Sequence, residues 1–216
     1  MMRARNAGRL RGQVSTVFDE LLSDVKDFLA GFGEEPARSF VAGMDWAMPA
    51  RSLQPRKLPC LVHLDRAALL VDGRSRPIAQ LLRDRAGEFH WGQTYTAADF
   101  GQKFMDNYGW LEVFGTRGHF ENDAVAGGFL ILGPGIEYPD HHHVAEELYI
   151  PLTGATEWRM SGGAWRLRAA GEVIHHASNV SHAMRTGAEP LLALYLWRGG
   201  PLAARSTVTA VGQSGR

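Results

Sequence analysis

The 216 residues suit one domain with appendages or two small domains, and 45% hydrophobic with 10% aromatic residues supply a core that excludes global disorder. Basic and acidic residues balance at 23 each, so neither a nucleic-acid partner nor a cation-buffering acidic surface is indicated. The one cysteine, Cys60, rules out an internal disulfide and reads as inert, which fits a reducing cytoplasm, and no apolar run approaches the ~20 residues of a membrane span.

Residues 1–12 form a basic lead-in with four arginines and no apolar stretch behind them, unlike a secretory signal. Val14, Val17, Phe18, Leu21, Leu22, Val25, Phe28 and Leu29 then follow helical spacing, with Asp19, Glu20, Asp24 and Lys26 opposite, which predicts an amphipathic helix ended by Gly31 and Gly33. Its apolar stripe suits either its own barrel or a second copy in a homodimer. Pro36 opens a second helical stripe through Phe40, Val41, Met44 and Met48 as far as Pro49. Residues 52–60 read as a proline-punctuated linker. Between 61 and 86 short helical patterns place Ile78, Leu81 and Leu82 on one face, and Thr96 is positioned to cap a helix carrying Phe100, Phe104 and Met105.

Near residue 110 the pattern changes to short apolar runs separated by glycines, eight of them at about ten-residue spacing up to LLALYLW. That rhythm predicts a mainly β fold, an antiparallel barrel or jelly roll. The expected organisation is a helical region 1–109 packing on the barrel, a barrel over 110–198 and a tail over 199–216, with no solenoid-length repeat.

The chemistry concentrates in DHHHVAEELY, residues 140–149. On a strand His141 and His143 share one face and His142 takes the other. If the chain turns and pairs back, Glu147 faces inward again, with Tyr149 two residues on, and His182 on a later strand would complete four ligands. Imidazoles and a carboxylate converging on one point suit a divalent transition metal: Zn, Fe(II), Mn, Co or Ni. His142, His175 and His176 fall off this pattern. A phenol beside such a metal can ionise near neutral pH and serve as a base, so Tyr149 and Tyr138 are either bases or packed amphipathic side chains.

These spacings resemble the cupin family. Gly135, His141, His143, Glu147 and Gly154 match every specified position of its first motif. In the second motif, which starts at Gly171 and puts a histidine at His182, Ala177, Asn179 and Thr186 replace Pro, Gly and Asn. Asn tolerates the left-handed turn that Gly would supply. A helical first half leading into one cupin with YPDHHHVAEELY is further similar to the bacterial cupin-type dimethylsulfoniopropionate lyases, and most to their DddL branch. That resemblance implies metal ligation by His141, His143, Glu147 and His182, a general base at Tyr149 and a second pocket tyrosine at Tyr138. It also implies a small sulfonium carboxylate as substrate, cleaved to dimethyl sulfide and acrylate by a carbon–sulfur lyase. Aromatic faces for the sulfonium would come from Tyr108, Trp110, Phe129, Tyr138, Tyr195 and Trp197. Two other classes stay open: a cupin that only binds a ligand, and an Fe(II) cupin dioxygenase. Against a DNA-binding regulator, the first half shows no helix-turn-helix pattern and its main helix is acidic.

Overall fold

The computed structural model describes residues 16–209; the basic lead-in and Val14 lie outside them. The amphipathic stripe forms α1 (Val17–Leu29). Its start is fixed by a reciprocal capping box, in which the Thr16 hydroxyl accepts from the Asp19 N–H while the Asp19 carboxylate accepts from the Thr16 N–H. The next stripe forms only a short α2 (Ala37–Val41). Gly43 takes a left-handed φ of 77°, and the segment to Pro49 runs on without helix, although Met44, Trp46 and Met48 still pack on the core. The proline-punctuated linker is tied down as well: Leu58 and Cys60 are buried, and a 3-10 turn over Pro59–His63 leads into α3 (Leu64–Leu70) and α4 (Arg76–Asp84). Burial pushes the Cys60 thiol up to about 12, in keeping with an inert cysteine. A short strand β1 (Trp91–Gly92) precedes α5 (Ala97–Asn107). Thr96 caps α5 through a box with Asp99, but Gly101 at φ 79° breaks the helix between Phe100 and Phe104.

Eleven strands follow: β2 (Tyr108–Gly115), β3 (Phe120–Glu121), β4 (Val125–Leu132), β5 (Glu137–His142), β6 (Glu146–Pro151), β7 (Thr156–Met160), β8 (Arg166–Arg168), β9 (Ile174–His176), β10 (His182–Thr186), β11 (Leu191–Arg198) and β12 (Thr207–Val208). They build two sheets, ordered β1-β2-β4-β11-β6-β9, with β3 on β2, and β12-β5-β10-β7-β8. Every pairing is antiparallel except β2 with β3, and the architecture is the cupin barrel. The sheet therefore reaches beyond the expected limits at both ends, and part of the expected tail is a strand. Among the described residues no helix is long and apolar enough to cross a membrane.

Strand alternation divides the interior in two. On β11, Leu192, Leu194 and Leu196 face an aliphatic layer shared with α1, α3 and α4, whereas Leu191, Ala193 and Tyr195 face the barrel lumen. Phe129 belongs to the helical layer and not to the pocket, because Leu130 beside it has the lumen parity. The AVAGGFLIL run carries glycines because β4 passes close under β2. A Cβ at Gly128 would lie 1.8 Å from the Leu111 carbonyl oxygen.

Candidate active site

The lumen chemistry depends on an irregularity in β5. Paired with β10, His141 sits opposite His182 and Tyr138 opposite Met184, so three steps on β5 match two on β10. The extra residue is a β-bulge. It turns both Tyr138 and His141 inward and leaves Pro139 and Asp140 half-buried. Their rings stack 4.0 Å apart at 8°. His143 lies one residue past the end of β5 and is also buried, while His142 is half-exposed.

Strand β6 brings Glu147 and Tyr149 in from the facing sheet, and β10 contributes His182. One ligand atom from each of His143, Glu147 and His182 falls within 4.8 Å of the others. His141 stands outside that tight set, held back on Tyr138, with its ring 4.2 Å from that of His182. The Nδ1 atoms of His141, His143 and His182 each meet a backbone carbonyl two residues away, those of Pro139, Ala145 and Val180, at 2.8, 2.8 and 2.9 Å. That contact fixes the tautomer and leaves each Nε2 lone pair free, the arrangement by which proteins prepare imidazoles as ligands.

The donor set demands a positive charge. His143 Nε2 and His182 Nε2 stand 3.2 and 3.1 Å from the same Glu147 Oε2, so lone pairs face an anionic oxygen, and His182 Nε2 has no hydrogen-bond partner. A proton or a metal cation resolves that repulsion. Burial opposes protonation of His143, but the Glu147 carboxylate outweighs it and holds this imidazole above its ordinary value. Burial likewise pushes Glu147 up, yet the charge of His143 and the contacts of His143 and His176 with its Oε2 hold it well below the usual carboxylate range. Burial, then His182, drives His141 well down, so it is neutral and able to bind a metal. Buried, oriented, mixed N/O donors fit a divalent transition ion.

Around this centre lies a small cavity, about 40 Å³ of water-accessible space, lined by Tyr108, Trp110, Tyr138, Tyr149, Tyr195 and Trp197, with Arg117 and Thr94. Burial, and then the Glu147 charge, hold the Tyr149 hydroxyl well above 10. The Tyr138 hydroxyl is also raised by burial and is engaged, 2.9 Å from the hydroxyl of Tyr95. Tyr108 is a wall residue whose hydroxyl approaches Thr94 at 3.4 Å. Trp197 has a double role: it faces the cavity, and its indole N–H donates to Glu147 Oε1 at 2.5 Å.

Sequence reasoning missed three features. His176 is fully buried against Glu147 and His182. Tyr95 supports Tyr138. The expected tail crosses the pocket, with Leu202, Ala204 and Ser206 in its wall, Arg205 paired with Asp99 at 2.5 Å and placed over the Tyr95 ring, and β12 clasped to β5 at His141 and His142. His175, as expected, lies away from the centre, on Glu146 at 2.6 Å.

A cupin barrel with imidazoles and a carboxylate gathered inside an aromatic lumen defines a cupin with a candidate metal centre. The family model for dimethylsulfoniopropionate lyases matches residues 37–193. The chain belongs to that family and is a carbon–sulfur lyase. It is 29% identical over 187 residues to the dimethylsulfoniopropionate lyase DddQ of Ruegeria pomeroyi, covering 87% of this chain and 92% of the relative. It is 31% identical over 161 residues to the DddL protein of Cereibacter sphaeroides, covering 71% of this chain and 65% of that one. The crystal structure of DddQ from Ruegeria pomeroyi superimposes with a TM-score of 0.81 at 28% identity, covering 91% of this chain and 98% of that one. The expected kinship with the DddL branch is thus shared with the DddQ branch, nearly the whole of which this chain spans.

Proposed function

We propose that this chain cleaves dimethylsulfoniopropionate to dimethyl sulfide and acrylate by β-elimination inside the barrel. The observation that carries the reading is the placement of Tyr149 on the same strand face as Glu147, the carboxylate that clusters with His143 and His182, in a buried aromatic cavity. His143, Glu147 and His182, with His141 as fourth donor, would hold one divalent metal ion, which when bound supplies Lewis acidity toward the substrate carboxylate. A phenol held well above 10 is no base by itself; with a cation held by these donors, the Tyr149 hydroxyl would lose its proton more readily and could serve as the base. Tyr149 then takes the proton from the carbon next to the carboxylate. The C–H electron pair becomes the new double bond, and the C–S pair leaves with sulfur as neutral dimethyl sulfide. Tyr138, tied to Tyr95, positions the substrate, and Tyr108 and Trp197 supply aromatic faces for the sulfonium.

Headspace gas chromatography of the metal-loaded protein with dimethylsulfoniopropionate, run without oxygen, tests this reading. Dimethyl sulfide with equimolar acrylate supports it and separates a lyase from a dioxygenase or a passive binder. No dimethyl sulfide from fully loaded protein removes it.

A further inference from the structure

Glu147 is gripped from both flanking strands. Its register partners are Trp197 on β11 and His176 on β9. Trp197 donates to Oε1, and His176 Nδ1 lies 3.3 Å from Oε2. His176 is 1% exposed, and its ring lies flat on that of His182, 3.8 Å away at 11°.

The orientation of this ring is opposite to that of the other lumen histidines. His141, His143 and His182 anchor Nδ1 on backbone and present Nε2. His176 turns Nδ1 to the carboxylate, while its Nε2 has no protein hydrogen-bond partner. A neutral imidazole has one N–H, and the acceptor available to it here is Glu147 Oε2. We infer that His176 is a positioning residue that donates Nδ1–H to Glu147 Oε2 and backs His182, fixing the carboxylate plane opposite the Trp197 bond. With one oxygen tethered on each side, Glu147 cannot rotate away from His143 and His182. The inference rests on the metal reading given above.

The test compares His176→Leu, which fills the volume without a donor, with His176→Asn, which keeps an N–H near the Nδ1 position. In the full chain, Zn(II) and Co(II) affinity is read by chelator competition and the Co(II) site by its visible absorption; kcat and KM follow. The Leu variant should lose ~10–100-fold in metal affinity, the scale for outer partners of metal ligands, and shift the Co(II) bands. The Asn variant should restore most of both. Affinity and bands unchanged in the Leu variant would overturn the role, and an Asn variant as weak as Leu would reduce it to packing. If Leu does not fold, His176→Gln, whose amide sits one bond further out, takes its place against Asn. Wild-type protein that binds neither ion stoichiometrically would instead sink the metal reading, and this inference with it.

Discussion

The two faces of the larger sheet share their strands but little of their chemistry. The face toward the helices takes Leu148 and Ile150 from β6 and Leu192, Leu194 and Leu196 from β11, all packed among leucines, valines and phenylalanines. The face toward the lumen takes Glu147 and Tyr149 from β6 and Tyr195 and Trp197 from β11. A period of two lets alternate residues of one strand serve different ends: one set excludes water by bulk, the other keeps polar atoms buried but partnered. Damage to either face should therefore register in a different measurement.

The largest effect belongs to the lumen. His143→Ala should leave the protein unable to retain a stoichiometric metal and should abolish turnover, because a ligand is lost next to the buried Glu147 charge; full metal by elemental analysis would refute the assignment. On the other face, Leu194→Ala should lower unfolding stability by about 2–5 kcal/mol while metal content stays near wild type. A calorimetric loss well under that range, or loss of metal, would show that the faces are not separable.

Tyr149→Phe sharpens the contrast from inside the lumen. It should keep fold and metal while turnover drops ~100-fold or more, about 2.7 kcal/mol, with a smaller change in KM. Tyr138→Phe should cost less; steady-state kinetics giving the reverse order would exchange their roles, and two active variants would remove both tyrosines from the chemistry.

The smallest effect lies at the seam of the helical layer. His119 is buried, stacked on Phe18 at 4.3 Å, and its Nε2 accepts the His90 N–H at 3.2 Å. Burial first, and His90 second, push it down to about 4. Between that value and the unfolded value near 6.5 the unfolded chain binds the extra proton, so stability is lost as pH falls through this window. His119→Gln should flatten that part of the acid-unfolding curve, and identical slopes in the two proteins would exclude His119 as a cause.

Much of this is legible in the sequence because it is periodic or tightly spaced. The stripe of α1, the Thr96 cap, the strand series and the His141–Glu147 cluster all lie within single segments. Asn179 adopts the left-handed φ of 61° that its place in the second cupin motif requires. What escaped depends on pairing between distant segments. His176 belongs to a three-residue edge strand, and only its register with Glu147 reveals it. The residues after 198 have no periodicity, yet they gain a role by lying over the pocket. The second helical stripe ends early because Met44 and Met48 pack half-buried against the core without being helical.

The bulge in β5 carries a last consequence, one for insertions and deletions. Because an extra residue lets Tyr138 and His141 share the lumen three positions apart, the separation is a specification of length. Many side chains between them could change without moving either ring. Removing Pro139 or Asp140 would take out the bulge: Tyr138 would stay opposite Met184 and the pair would still share a face, but the local bend and added twist that bring the two rings into one stack would be lost. Relatives that keep this lumen should therefore vary in the letters between those two rings and hold constant the number of residues that separates them.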